Sequence, residues 1–324
     1  METKLSSRDS TALYFVRVVA ILSSVAAHVS VIDLSTPLSA FATRMWDQFS
    51  CVSVGAFLIC AGILYTRTPG DSRSFWCRKW SSMVVPWLFC GCLTYGYRCL
   101  AGVPGSLPEL ARWLLGHGSW LYYVTMHLTM LALFKPLWDK PAALWICLGL
   151  TVAQLTLKAR GGGLPSPLDN DYLNPLHWMG FFALGVLLRR RGLEISRWEK
   201  GIWTLLWGVS TLVVFRRWIY DYFHIWNFLF SVSSFFVLLE LGRRLADTRL
   251  AAPIRWAGSC TYCVYLLHML IVPPVLRRIP LENLKYLLSP IIGLALMLSL
   301  IALGQWVTKK LPWGKLLRNL VGVR

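Results

Sequence analysis

The run Ala12-Leu-Tyr-Phe-Val-Arg17-Val-Val-Ala-Ile-Leu-Ser-Ser-Val-Ala-Ala-His28-Val-Ser-Val-Ile32 decides how this chain folds. It is long enough to cross a bilayer, whose hydrocarbon core takes about 20 helical residues. Two ionisable residues, Arg17 and His28, lie inside it. A charge at membrane depth is expensive and faces a cavity or a partner, so each is a candidate functional residue. Eleven residues at about 100° each return to within roughly 20° of the same helix face, about 16 Å further along the axis. One stripe therefore carries a fixed cation towards one membrane surface and an imidazole deep in the protein. That is a two-point site.

The rest of the chain has the same character. Its 324 residues are 56% apolar and include 17 Trp, and the mean hydropathy is +0.53. One soluble core cannot hide that much apolar surface. The pattern predicts an all-α polytopic membrane protein of about ten transmembrane helices around an internal cavity. The expected spans are 12–32, 46–66, 80–101, 118–138, 141–158, 175–191, 201–220, 224–243, 256–279 and 285–308. The longest polar connections, 67–79, 159–174 and 244–255, are loop-sized, so residues 1–324 read as a single transmembrane domain. The first run carries Arg17 in its middle and lacks a small-residue cleavage site, which reads as a span and not a cleaved signal.

Charge gives the orientation. The net charge is +18, and Lys and Arg concentrate in cytoplasmic loops of membrane proteins. With the N-terminus inside, the inner segments hold 22 Lys and Arg and the outer ones 10, with Arg17 within the first span. This predicts a multi-pass protein of the cell (cytoplasmic or inner) membrane with both termini cytoplasmic. The basic residues are dispersed among hydrophobic spans and form no single stripe, which argues against a nucleic-acid partner. Anionic membrane lipid or a phosphorylated cytosolic ligand suits them better.

Eight of the nine cysteines lie within the expected spans, where they read as small apolar residues. Cys260 and Cys263 stand one helical turn apart but have no second pair to complete a zinc site. No metal is expected.

Six further features occur in order along the chain. They are Arg17-x10-His28 with Ala20 between, Val52-Ser-Val-Gly-Ala-Phe-Leu-Ile-Cys-Ala-Gly62, Phe75-Trp-Cys-Arg78-Lys79 leading to Pro86-Trp87, and His117-Gly-Ser-Trp120-Leu-Tyr-Tyr running to Lys135-Pro136-Leu137. Phe181-Phe-Ala-Leu-Gly185 and Ser259-Cys-Thr-Tyr-Cys-Val-Tyr265-Leu-Leu-His268 complete the set. Together they resemble the acyltransferase-3 family of integral-membrane O-acyltransferases, whose members acylate cell-surface sugars. The departures are local. Tyr14 stands where the family often has an acidic residue, and Ala61 replaces the serine of its second-helix Ser-Gly. The second arginine that usually follows the basic approach to the third helix is missing around Ser81–Ser82.

The resemblance implies transfer of an acyl group, acetyl being the expected one, from cytosolic acyl-CoA to a hydroxyl of a surface polysaccharide or lipid-linked sugar. Acyl-CoA is then a co-substrate, and no bound cofactor is expected. A sugar hydroxyl is a poor nucleophile until a base takes its proton, and neutral imidazole suits that task near pH 7. His28 is the candidate base, against a structural alternative in which it hydrogen-bonds a neighbouring helix. Arg17 suits the donor's phosphates through its planar, permanent charge, and the 16 Å offset is comparable to the donor's flexible arm. Arg78, Lys79 and Arg73 are candidate additions to that anion site, although positive-inside charge alone accounts for them. His117, Trp120 and Tyr122 are candidates for the acceptor, aromatic faces suiting sugar rings, with an interfacial belt as the alternative. Tyr265 and His268 are candidates for orienting a substrate or for a helix–helix hydrogen bond. Asp169, Asp171 and Asn174 fit either a polar acceptor or a solvated turn, and Glu240 is expected near Arg243 and Arg244 with no role.

The competing reading is a transporter or flippase for a polar or lipid-linked sugar, which would also bury Arg and His. Transporters often carry inverted repeats with interrupted helices in matching halves, and no such matching is visible. A non-catalytic scaffold gives no reason for the Arg17–His28 stripe.

Overall fold

The computed structural model describes residues 5–29, 34–65, 72–219, 221–279 and 285–323. The ends of three expected spans (30–32, 66 and 220) and residues 67–71 of the first basic loop lie outside the described residues. Among the described residues the chain is all helix, with no strand. The helices are α1 (Ser7–Val29), α2 (Pro37–Ser50), α3 (Ser53–Leu64), α4 (Ser72–Lys79), α5 (Val85–Leu100), α6 (Leu107–Leu115) and α7 (Tyr122–Phe134). Then follow α8 (Pro141–Lys158), α9 (Pro175–Arg191), α10 (Arg197–Arg217), α11 (Ile225–Leu245), α12 (Ala251–Leu276), α13 (Lys285–Thr308) and α14 (Gly314–Leu320). A π-helical stretch, Trp80–Val84, joins α4 to α5.

Each of the ten expected spans contains a helix. Among the described residues, six stretches are long and apolar enough to cross a membrane: Ser7–Val29, Pro37–Leu64, Pro141–Lys158, Ile225–Leu245, Ala251–Leu276 and Leu287–Thr308. Bulky apolar side chains such as Trp145, Ile146 and Leu205 face outwards and are at least 60% exposed. Outward apolar side chains on helices of this length suit contact with lipid. This is a membrane protein.

Side-chain contacts give the relative directions of α1, α10, α11 and α12. Asp9 of α1 pairs with Arg243 near the end of α11 at 2.8 Å, so these helices are antiparallel. Thr11 meets Arg255 at 3.1 Å and Arg17 meets Thr261 at 2.9 Å, so α1 and α12 run parallel. Lys200 of α10 bonds Glu240 of α11 at 2.9 Å, and the Trp203 and Phe236 rings stack at 4.0 Å, which makes that pair antiparallel.

The second expected span, 46–66, is interrupted. Pro37 and a reciprocal Thr36–Ser39 capping box start α2, a standard way to satisfy orphan N–H groups. The helix then breaks at Cys51–Val52. Ser23 of α1 donates to the Phe49 and Ser50 carbonyls at 2.6 and 3.0 Å. The Tyr222 hydroxyl meets Ser53 Oγ at 3.0 Å and accepts from Val54 N at 3.4 Å. Backbone groups freed at membrane depth need such partners, because lipid offers none.

The Val52–Gly62 and Phe181–Gly185 features meet across the α3–α9 interface. A Cβ added at Gly185 would lie 2.2 Å from the Ile59 carbonyl oxygen, and one at Gly62 would lie 2.3 Å from that of Phe182. Small residues let membrane helices approach through backbone packing. Gly185→Ala should therefore force the backbones apart and destabilise the fold by about 1–3 kcal/mol, the scale of core overpacking. Thermal unfolding in detergent reads this directly; an unchanged midpoint would contradict the close packing.

Two shallow grooves, about 630 and 270 Å³, run along α10 and between α10 and α11. Neither is lined by a residue of the expected site.

Candidate active site

The site forms where α12 lies parallel against α1. Gly258 permits the approach, since a Cβ there would sit 2.7 Å from the Tyr14 ring. Three residues further along each helix, Arg17 Nη2 donates to Thr261 Oγ1 at 2.9 Å. Further along still, the His28 and His268 rings stand 5.2 Å apart, inclined at 40°. Both residues of the α1 stripe thus meet α12, as their shared helix face requires. Thr261, Tyr265 and His268 form the facing stripe, at the i, i+4 and i+7 positions of one helix side.

The Tyr14 ring lies under Arg17, 5.6 Å from the guanidinium carbon. An aromatic face attracts a cation. The residue that departs from the family's usual acid therefore still holds Arg17, by a different interaction. The Tyr262 hydroxyl donates to the Met83 carbonyl at 2.7 Å. That bond ties the stretch following Arg78 and Lys79 to the turn of α12 that holds Arg17.

Arg73, Arg78 and Lys79 all lie on α4. Arg73 and Arg78 are exposed; Arg78 Nη1 donates to Ser74 Oγ at 2.6 Å. Lys79 sits over the Phe75 ring at 5.6 Å.

At the other end of the stripe, His28 is exposed and His268 is fully buried. His268 Nδ1 lies 2.9 Å from the Tyr265 carbonyl and 3.2 Å from that of Val264. A carbonyl only accepts, so Nδ1 carries the proton and Nε2 keeps a lone pair. That Nε2 is buried with no hydrogen-bond partner. The Trp120 ring lies 6.0 Å from His268, edge to face, and its Nε1 is likewise buried without a partner. Tyr265 donates its hydroxyl to the Trp120 carbonyl, fixing α12 to the start of α7. Two buried polar atoms without a partner thus lie beside the histidine pair, and each such group calls for an explanation.

Two of the acceptor candidates lie elsewhere. His117 is exposed in the turn after α6, whose Gly116 closes the helix with φ near +98°. Tyr122 packs against Tyr172 at 4.6 Å and Trp178 at 6.2 Å, in an aromatic cluster under the 159–174 loop. Asn174 caps α9 by accepting from Leu176 N at 3.0 Å. Glu240 joins Lys200 and Arg243, the latter at 3.7 Å.

Asp171 is bonded by Lys158 and, at 2.5 Å, by Ser166. Burial alone would raise its carboxyl, but these two hydrogen bonds and the Lys158 charge hold it below its ordinary value. A depressed carboxylate stabilises the fold above its unfolded pKa, and that contribution disappears as pH falls through the folded value. Asp171→Asn should lower stability by up to about 1 kcal/mol near pH 7, the scale of a partly exposed ion pair. The gap from the parent should close below the ordinary value of 3.8. Melting curves across pH check this; a gap that widens in acid would contradict it.

Sequence reasoning passed over Tyr123, His127 and Thr261. The Tyr123 hydroxyl and His127 Nδ1 lie 3.1 Å apart on α7, and the Tyr123 ring stands 5.4 Å from Tyr265. His127 is an ionisable residue inside an apolar run, the same signal that singled out His28. Among the described residues no group of three or more His, Cys, Asp or Glu side chains gathers as a metal site would.

The acyltransferase-3 family model, described as an acyltransferase domain, matches residues 11–308. The chain belongs to the acyltransferase-3 family. The match takes in both stripes of this acyltransferase, from Arg17 on α1 to His268 on α12. No curated protein and no solved structure matches the acyltransferase.

Proposed function

We propose that the protein is an integral-membrane O-acyltransferase that moves an acetyl group from cytosolic acetyl-CoA to a hydroxyl of a surface polysaccharide or lipid-linked sugar. One observation carries this reading: Arg17 and His28, on one face of α1, meet Thr261 and His268 on one face of α12. An anion-binding cation and a base are then aligned along one seam, separated by about the reach of the donor's arm.

The donor's phosphates lie at Arg17, with Arg78, Lys79 and Arg73 of α4 adding charge at the mouth. The thioester carbon lies beside His28. His28 takes the proton of the sugar hydroxyl as its oxygen bonds the thioester carbon; the carbon–sulfur bond then breaks and the proton passes to the departing thiolate. Trp120 lines the acceptor side beside His268.

The relative directions of α1, α10, α11 and α12 agree with a ten-span arrangement with both tails cytoplasmic in a single domain over 1–324. The ion pairs of Asp9, Arg243, Lys200 and Glu240 gather at one end, the end that the positive-inside rule assigns to the cytoplasm. Single cysteines at 67–79, 189–200 and 244–255, in a background cleared of exposed thiols, should resist an impermeant reagent added outside. Labelling of 67–79 from outside would overturn the donor side.

The competing transporter reading predicts glycolipid movement without donor consumption. Purified protein, labelled acetyl-CoA and a membrane glycolipid extract separate the two. Alkali-labile label in the glycan is expected; glycolipid movement with intact acetyl-CoA would favour transport.

A further inference from the structure

His268 is buried and fixed, while His28 is exposed. Two backbone carbonyls, 2.9 and 3.2 Å away, hold the proton on His268 Nδ1. Its Nε2 lone pair is therefore set by the fold, not by a choice of tautomer, and it has no partner. Leaving a buried acceptor bare is costly, so a bare one beside a working group calls for a donor. The ring centre of His28 is 5.2 Å away. A hydrogen bond of about 2.9 Å between two imidazole nitrogens sets the ring centres about 5 Å apart. The separation already suits such a bond, with the two rings inclined at 40°.

We propose that His268 is the positioning residue of His28: its Nε2 accepts one ring N–H of His28 and leaves the other His28 nitrogen bare as the base. A base held by a third group is the general logic of activated nucleophiles, where an acceptor fixes tautomer and orientation and steadies the imidazolium that forms. A carboxylate usually fills that place. Among the described residues, the titratable side chains set against His268 are His28 on α1 and Tyr265 on α12 itself, with Tyr265 at 6.3 Å between ring centres. From α7 the neighbour is Trp120, which does not titrate in the accessible range. A neutral acceptor also avoids a second charge in the seam. This inference rests on His28 being the base.

The test is a double-mutant cycle on the full chain in proteoliposomes, with thiol release from acetyl-CoA and label transfer to added glycolipid extract as readouts. His268→Phe removes the acceptor and keeps a ring; His268→Gln places an amide near the Nε2 position. Phe is expected to lower kcat by about 10- to 100-fold, the scale of a misplaced catalytic group, with donor KM unchanged. Gln is expected to recover most of that loss. In a His28→Ala background, Phe should cost nothing further, because His268 acts only through His28.

Parent-like kcat in His268→Phe would overturn the proposal. So would a Gln variant no better than Phe, or a Phe loss that persists unchanged in the His28→Ala background. Labelled acetyl-CoA binding is measured on every variant; if Phe does not fold, the same cycle with His268→Leu against His268→Gln decides. If His28→Ala itself transfers at the parent rate, the base assignment has failed and not merely this one.

Discussion

His28→Asn should insert, fold and bind acetyl-CoA like the parent, yet transfer acyl groups at least about 10²-fold more slowly, the usual scale for removal of a general base. Asn keeps a hydrogen-bonding side chain but cannot take a proton near neutral pH. Its failure would therefore separate proton transfer from mere hydrogen bonding. His28→Ala should fail to a similar degree. Parent activity should also fall once the pH is low enough to protonate the ring, while donor binding persists, because a protonated ring has no lone pair to offer. Rates come from initial transfer of labelled acetyl, and binding from equilibrium measurements on the same preparations. Transfer by His28→Asn at close to the parent rate would leave the His28–His268 contact as helix packing alone.

Arg17 governs the donor. Its guanidinium is braced by Thr261 Oγ1 at 2.9 Å and by the Tyr14 ring at 5.6 Å. Arg17→Ala removes charge-assisted hydrogen bonds worth about 1.5–3 kcal/mol each, so acetyl-CoA affinity should fall by about 10- to 100-fold. Arg17→Lys restores the charge without the fork or the stacking geometry, and should remain several-fold weaker than the parent. Arg78→Ala, on an exposed helix, should raise the donor KM by less than either. Direct binding of labelled acetyl-CoA measures all three. Parent affinity in Arg17→Ala would make the basic residues topological only.

Much of this was legible because membrane depth simplifies sequence. An apolar run with an arginine and a histidine eleven residues apart names its own helix, its own face and its own exceptional residues. Helix existence followed from hydropathy, and the relative directions of α1, α10, α11 and α12 agree with the expected span order. The break at Cys51–Val52 did not, since nothing in that run is a helix breaker; Ser23 and Tyr222, far away in sequence, stabilise the freed backbone. Gly62 and Gly185 belong to separate features of the sequence, and only the α3–α9 packing shows that they serve one contact. Within the site, His28, Trp120, Tyr265 and His268 came together. His117 and Tyr122 did not, because neighbours in sequence at a helix start point to different sides. The pairing of His28 with His268 joins residues 240 positions apart, a relation that periodicity within one helix cannot carry.

The most direct test of a seam that joins cytosolic donor to outer acceptor is sidedness. Purified protein is reconstituted in proteoliposomes of defined orientation, with lipid-linked glycan in the bilayer and labelled acetyl-CoA added to one face only. Acetyl-CoA supplied to the face bearing Arg78 and Lys79 should place alkali-labile label on glycan at the opposite face, and supply to the other face should not. Equal labelling from either face, or label confined to the face of supply, would contradict the account.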